Sequence, residues 1–297
     1  MLVAKAAIQQ LRPKQWSKNV FLFAALVFSG QFLVLGAVVQ ALAGFAAFSL
    51  LASGGYILND YLDREADRRH PTKRFRPIAS GALPAGLALV ELVFVVAAGV
   101  GICLWLGVPF LVVGLAYFAT TLSYSFVFKH IVILDVMFLA AGFVWRVIAG
   151  ALAIGVAVSP WLFICTAFLA LFLGFNKRRG ELSKLGSAAG TRRNLIEYNE
   201  RMLTEFQSIT STSALLCYAL YCVLGPTPWM TLTLPPVIYG IFRYVYLVEQ
   251  RGEGGAPDET LLRDAPLLAT VGLYGLIALA VTFGEGQGWL PGFGYAV

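Results

Sequence analysis

Val38-Val39-Gln40-Ala41-Leu42-Ala43-Gly44-Phe45-Ala46-Ala47-Phe48-Ser49-Leu50-Leu51-Ala52-Ser53-Gly54-Gly55-Tyr56-Ile57-Leu58 is a predominantly apolar run. It passes directly into Asn59-Asp60-Tyr61-Leu62-Asp63-Arg64-Glu65-Ala66-Asp67. The run has the roughly 20 residues that cross a hydrocarbon layer as a helix. On a continuing helix, Asp60, Asp63 and Asp67 are spaced i, i+3, i+7, and Asn59, Asp63 and Asp67 are spaced i, i+4, i+8. Both sets fall on one face. Carboxylates gathered at a membrane boundary repel one another and are costly to dehydrate. A hard divalent cation, Mg²⁺ or Mn²⁺, removes that cost and also holds substrate phosphates. The plain alternative is a solvated acidic helix end paired with Arg64, Arg68 and Arg69. The next residues, His70-Pro71-Thr72-Lys73-Arg74-Phe75-Arg76-Pro77, are basic. Acids beside a basic loop suit a phosphorylated substrate. Asp60, Asp63 and Asp67 are therefore the candidate catalytic residues, and with Asn59 they are the candidate metal ligands.

The rest of the chain supports a membrane reading. Of 297 residues, 59% are hydrophobic and only 13% charged, with mean hydropathy +0.76. Soluble domains carry roughly twice that charged fraction. The expected class is all-α, a single membrane-embedded domain covering residues 1–297. Candidate spans fall near 19–36, 38–58, 86–106, 108–128, 131–151, 160–176, 207–224, 229–248 and 265–283, about nine in all. The net charge of +6 sits in a few loops, which argues for no nucleic-acid partner. Cys103, Cys165, Cys217 and Cys222 lie in apolar stretches without ligand or disulfide spacing. The N-terminus does not have the pattern of a cleavable signal peptide. Self-association is left open by composition.

Charge along the loops sets an expected orientation. Lys5, Arg12, Lys14 and Lys18 precede the first span, and basic residues follow the second, fourth, sixth and eighth. The intervening loops and the C-terminal tail have no Lys or Arg. The positive-inside rule then predicts a cytoplasmic N-terminus, an external C-terminus and a cytoplasmic acidic motif. Two long loops, from Asp60 to about Ala85 and from Asn176 to about Phe206, share that face and are expected to cap a site. Leu195, Tyr198, Met202 and Phe206 have helical spacing within the second.

Basic and polar side chains supply the candidate substrate contacts. Lys18, Lys73, Arg74, Arg76, Lys177 and Arg178 suit phosphate oxygens, unless they serve topology and anionic lipid alone. Tyr124, Lys129, Asp135 and Arg146 form a further set, with Arg243 beside it. Ionisable groups such as Asp135 and Arg146 inside apolar helices face a polar cavity or an ionic partner on another helix. Eleven residues apart, those two share a helix face without touching.

Together these residues resemble the membrane prenyltransferase superfamily typified by 4-hydroxybenzoate polyprenyltransferase. That family carries an Asn-Asp-x-x-Asp-x-x-x-Asp motif on its second helix and a later Asp-x-x-x-Asp motif. Here the later position reads Phe175-Asn176-Lys177-Arg178-Arg179-Gly180-Glu181-Leu182, which is basic. This departure resembles the branch of decaprenyl-phosphate phosphoribosyltransferases. The likeness extends through Leu11 to Asn19, Asn59 to Pro77, Tyr124 to Gly150, and Tyr239 to Tyr244. It departs at Leu203-Thr204-Glu205-Phe206, where many relatives are expected to have an Asp. The resemblance implies Mg²⁺-dependent transfer of 5-phosphoribosyl from phosphoribosyl pyrophosphate to a polyprenyl phosphate lipid. Such a step would feed cell-wall arabinan synthesis. Two other readings stay open: prenyl transfer from a prenyl diphosphate to an aromatic or haem acceptor, and a lipid transporter or scaffold.

Overall fold

The computed structural model describes residues 2–183, 193–225, 227–255 and 257–291. Helices dominate it. The chain begins with α1 (Leu2–Gln10), a 3-10 segment (Pro13–Phe23) and the short α2 (Ala24–Phe28). The long α3 (Leu35–Leu62) runs into the short α4 (Arg64–Arg69). Then follow α5 (Ala85–Leu106), α6 (Val108–Phe126), α7 (Leu134–Ala153), α8 (Pro160–Leu182) and α9 (Glu200–Leu224). The last helices are α10 (Leu234–Arg251), α11 (Pro257–Arg263) and α12 (Ala265–Gly286). Among the described residues, eight helical segments are long and apolar enough to cross a membrane.

The ninth expected span, near 19–36, is not one helix. It divides into the 3-10 segment, α2, a turn with Gly30 at φ 69°, and a second 3-10 turn at Gln31–Leu33. The reason is visible at its start. Asn19 is fully buried and donates through Nδ2 to Ser49 Oγ at 2.9 Å. Its Oδ1 accepts from Arg146 Nε at 2.7 Å. The backbone of Leu22 presses so closely on Gly150 that a Cβ there would lie 2.0 Å from Leu22 O. Local backbone geometry yields to these tertiary contacts.

The chain forms two compact units interleaved along the sequence. The first comprises residues Met1–Leu26, Val34–Phe128 and Trp145–Ala157. It is built on α3, which packs on α5 and α6 through small residues. A Cβ on Gly54 would meet Val96 at 2.6 Å, and one on Gly99 would meet Leu51 at 3.2 Å. Small residues let helices approach where lipid offers no hydrophobic drive to associate. Phe48 of α3 stacks on Tyr117 of α6, with ring centroids 4.7 Å apart. A buried cluster of Ala6, Ile57, Ile78, Leu83, Ala88 and Val95 fastens α1 and the 76–84 loop to the end of α3.

The second unit comprises Val27–Leu33, Lys129–Val144 and Val158–Val297. Its α8 and α9 pack along their length, and Gly174 of α8 admits Val136 at 2.6 Å from where a Cβ would sit. Leu195, Tyr198 and Leu203 are buried with Val136 and Phe175, and Met202 and Phe206 pack against them. The expected helix over this stretch is in fact two pieces. A 3-10 turn spans Arg193–Glu197, and α9 starts at Glu200, where Asn199 Oδ1 accepts from Met202 N at 2.9 Å. Residues 184–192 of the second long loop lie outside the described residues.

Candidate active site

At about 1.5 Å per residue, the 28 residues of α3 extend ~42 Å. That exceeds the ~30 Å hydrocarbon layer, so its last turn can emerge into polar surroundings. The acidic motif sits on that turn and on α4. Asp63 ends one helix and begins the other, with φ −82° and ψ 0°. Helical hydrogen bonding survives the joint: Asp63 N donates to Asn59 O at 2.9 Å and Asp67 N to Asp63 O at 2.8 Å. Asp60 and Asp67 thus keep a common face. They are only 1% and 4% exposed.

Arginine guanidinium groups balance these carboxylates. Nη1 of Arg76 donates to Asp60 Oδ1 at 2.9 Å and to Asp67 Oδ2 at 2.7 Å, so one nitrogen bridges both acids. Arg12 Nη2 reaches both oxygens of Asp60, at 2.8 and 2.6 Å. Its guanidinium also lies over the Tyr56 ring, 4.9 Å from the centroid. Arg12 holds this position with a left-handed backbone, φ 53° and ψ 58°, at the entry to the 3-10 segment. Such a conformation is costly for a non-glycine residue and marks positions fixed by their surroundings. Gln10 Nε2 donates to Asp60 Oδ2 at 2.9 Å. The same amide leaves its Oε1 buried with no hydrogen-bond partner among the described residues, on a side chain 1% exposed. A buried acceptor in that state costs about 1–3 kcal/mol.

The local loops deliver these groups. Arg68 Nε donates to Ala79 O at 3.1 Å, and Leu83 N donates to Pro77 O at 2.9 Å. With Ile78 and Leu83 buried in the core, the loop returns Arg76 to the face of Asp60 and Asp67. On the other side, Ser53 Oγ donates to Leu11 O at 2.8 Å, and Trp16 Nε1 donates to Ser53 Oγ at 3.1 Å. These bonds pin the chain around Arg12.

The four expected ligands, Asn59, Asp60, Asp63 and Asp67, are held by different hydrogen bonds. Asp63 Oδ2 accepts from Asn59 Nδ2 at 3.2 Å, apart from the pair on Arg76. Among the described residues, no three His, Cys, Asp or Glu side chains gather as a metal-holding group. The donor chemistry nevertheless fits a hard cation. Two buried carboxylate oxygens close on a single positive nitrogen, and an unpartnered amide oxygen belongs to a side chain already bonded to Asp60. Gln10 and Arg12 were missed as site residues, because α1 and the following turn meet α3 only in the folded chain. The one sequence signal was Arg12 within the stretch Leu11 to Asn19.

The other expected contacts divide in two. In the first unit, Lys73 and Arg74 are exposed on a 3-10 turn, with Arg74 over the Phe75 ring at 4.8 Å. Lys18 and Tyr124 are half-buried in that unit, and Lys129 and Lys177 are half-buried in the second. The remaining four are engaged in hydrogen bonds and ion pairs of the fold. Arg146 is buried and donates through Nη2 to Tyr117 OH at 3.0 Å as well as to Asn19. Asp135 is 0% and Arg178 1% exposed, with Arg178 Nε 2.6 Å from Asp135 Oδ2. Asn194 Nδ2 and Tyr198 OH donate to the same carboxylate at 3.1 and 2.7 Å. Burial, seconded by the bond to Asp135, pushes the Tyr198 hydroxyl up. Arg178 also meets Glu181 at 2.6 Å. Arg243 Nη2 donates to Asp264 Oδ2 at 2.8 Å and holds the Asp264 carboxyl below the usual carboxylate range. Each charge is committed to a partner within its own unit.

Residues 19–258 match the UbiA prenyltransferase family. The chain is 36% identical over 276 residues to decaprenyl-phosphate phosphoribosyltransferase of Corynebacterium glutamicum, covering 89% of this chain and 83% of the relative. It is 34% identical over 288 residues to the Mycobacterium tuberculosis protein of the same name, covering 93% and 94%. Its fold is similar to a UbiA homolog from Archaeoglobus fulgidus bound to DMAPP and Mg²⁺, with TM-score 0.72, 17% identity, and 93% and 98% of the two chains covered. It is likewise similar to a digeranylgeranylglyceryl phosphate synthase, with TM-score 0.71, 16% identity, and 95% and 99% covered. This is a multi-pass membrane protein, and the match over most of its length places it in the UbiA prenyltransferase family.

Proposed function

We propose that this protein transfers a 5-phosphoribosyl group from phosphoribosyl pyrophosphate to a polyprenyl phosphate, decaprenyl phosphate in its relatives, and releases pyrophosphate. The observation that carries the reading is the pair of buried carboxylates, Asp60 and Asp67, joined by Arg76 at the end of a membrane helix. Charges of both signs meet there, as binding a diphosphate at a lipid boundary requires. The relatives matched over nearly the whole chain carry the name of this activity.

The chemistry asks little proton transfer of the protein. A phosphate monoester is mostly dianionic near pH 7, so the lipid phosphate oxygen attacks the anomeric carbon without a general base. The carbon–oxygen bond to the diphosphate breaks, and the electron pair leaves with pyrophosphate. Arg12 and Arg76 orient the leaving group through charge-assisted hydrogen bonds. Lys18, Lys73, Arg74 and Tyr124, in the same unit, are proposed as further substrate contacts. Asp60, Asp67 and, after a side-chain rotation, Asp63 would hold Mg²⁺ or Mn²⁺. Such a cation, when bound, supplies positive charge to diphosphate oxygens. In-line displacement inverts the anomeric carbon. The motif is assigned to the cytoplasmic face of the cell membrane, because basic residues crowd the loops on its side.

The test is direct. Purified protein is incubated with labelled phosphoribosyl pyrophosphate, decaprenyl phosphate and Mg²⁺, and lipid is extracted. Label should enter the organic phase, and a chelator should abolish it. No labelled lipid, together with transfer of a labelled prenyl diphosphate to an aromatic acceptor, would overturn the proposal.

A further inference from the structure

Arg76 Nη1 already takes one oxygen of Asp60 and one of Asp67, the position from which a single cation would bridge the pair. Two positive groups cannot share that point. Arg12 covers the remaining oxygen of Asp60 together with Gln10. The acidic pair is therefore neutralised from within, and a cation bridging it would compete with a guanidinium. Arg76 has the freedom to leave. It lies on an extended backbone just after a 3-10 turn, with its side chain 26% exposed. Buried Gln10 supplies an independent sign that the set is incomplete. Among the described residues its Oε1 has no partner while the arginines hold the acids, and rotation of the amide would offer a hard oxygen beside Asp60.

We infer that Arg76, assisted by Arg12, is an exchangeable internal counter-cation. It yields Asp60 and Asp67 to a divalent metal and passes its guanidinium to the phosphate of the incoming substrate. Metal and anion binding are then mutually reinforcing. The metal competes with Arg76 for the acids, and an anion gives Arg76 another partner. A guanidinium suits this transfer because its fork matches carboxylate and phosphate alike. The inference rests on the proposed metal- and phosphate-binding role of this motif and assigns Arg76 a positioning function within it.

The experiment is Mn²⁺ binding by electron paramagnetic resonance on the purified full-length chain, without turnover. Arg76→Gln removes the internal cation and should tighten Mn²⁺ binding in the absence of anion by about tenfold, the scale of ordinary coupling between sites. Inorganic phosphate, with its solution complex subtracted in protein-free buffer, should tighten Mn²⁺ binding to the wild type. It should have little effect on the variant. Asp67→Asn in the Arg76→Gln background should abolish the gain, which places the ion at this pair. Unchanged or weaker Mn²⁺ binding by folded Arg76→Gln overturns the inference, as does binding of no Mn²⁺ by either protein. Should Arg76→Gln fail to fold, Arg12→Gln replaces it with the same expected direction and the same overturning result. Exchange without formation of labelled lipid would reject the proposed substrates and keep the exchange. Lipid formation without exchange would do the reverse.

Discussion

Asp60 has three partners on a side chain 2% exposed, whereas Arg12 and Arg76 are each more than a quarter exposed. Asp60→Asn should therefore abolish transfer while costing stability only about 1–3 kcal/mol, since both arginines retain water. Thermal unfolding in detergent beside the lipid-label assay separates the two effects. A wild-type rate in Asp60→Asn would remove the motif from catalysis. Asp135 behaves in the opposite way. Its partner Arg178 is as buried as it is, so Asp135→Asn removes one of the two counter-ions of a buried guanidinium, leaving Glu181, and should cost about 1.5–3 kcal/mol. Replacing both, by Asp135→Leu with Arg178→Met, should recover much of that loss. If Asp135→Asn instead kept its unfolding midpoint and lost substrate affinity, the pair would belong to the site.

At the scale of helices, two contacts make sharp tests. Gly150 of α7 admits the backbone of Leu22, where a Cβ would fall 2.0 Å from a carbonyl oxygen that cannot rotate away. Gly150→Ala should destabilise by about 1–3 kcal/mol or more, the usual cost of overpacking. Gly101→Ala on α5, with nothing within 4 Å of its Cβ, should be neutral or stabilising by the same unfolding measurement. The second contact is Arg243 of α10 with Asp264, which also caps α12 by accepting from Leu267 N at 2.9 Å. Asp264→Asn keeps the cap and removes the charge. Because Arg243 depresses the folded carboxyl, the pair stabilises above the ordinary Asp value of about 3.9. That contribution is lost as pH falls through the lower, folded value. The variant should unfold earlier than the wild type at pH 7, and the gap should close in acid. A gap that persists unchanged at low pH would show that the pair contributes through packing.

For the whole molecule, orientation is the accessible question. Lys73 is exposed on the loop that carries Arg76, and the four native cysteines all lie in apolar helices. Lys73→Cys in sealed inverted vesicles, with the cytoplasmic face outward, should react with a membrane-impermeant maleimide. In right-side-out vesicles it should stay unlabelled until permeabilised. The reverse pattern would turn the topology over and place the acidic motif on the outer face.

The spans from α3 to α12 were legible from sequence because a bilayer permits few backbone solutions, and about 20 apolar residues announce one of them. The face shared by Asp60 and Asp67 was legible too, since helical periodicity acts over a few residues and survives the joint at Asp63. Tertiary structure alone decided what those acids hold. Arg12 is 48 residues from Asp60, and Arg178 is paired with an Asp135 on a different helix. No local pattern encodes which guanidinium reaches which carboxylate. The broken segment after Pro13 was hidden for the same reason: its composition reads as a span, but Asn19 and Leu22 take their geometry from Ser49, Arg146 and Gly150. Hydrophobicity and helical period are properties of neighbours along the chain. Charge pairing and close packing are properties of neighbours in space.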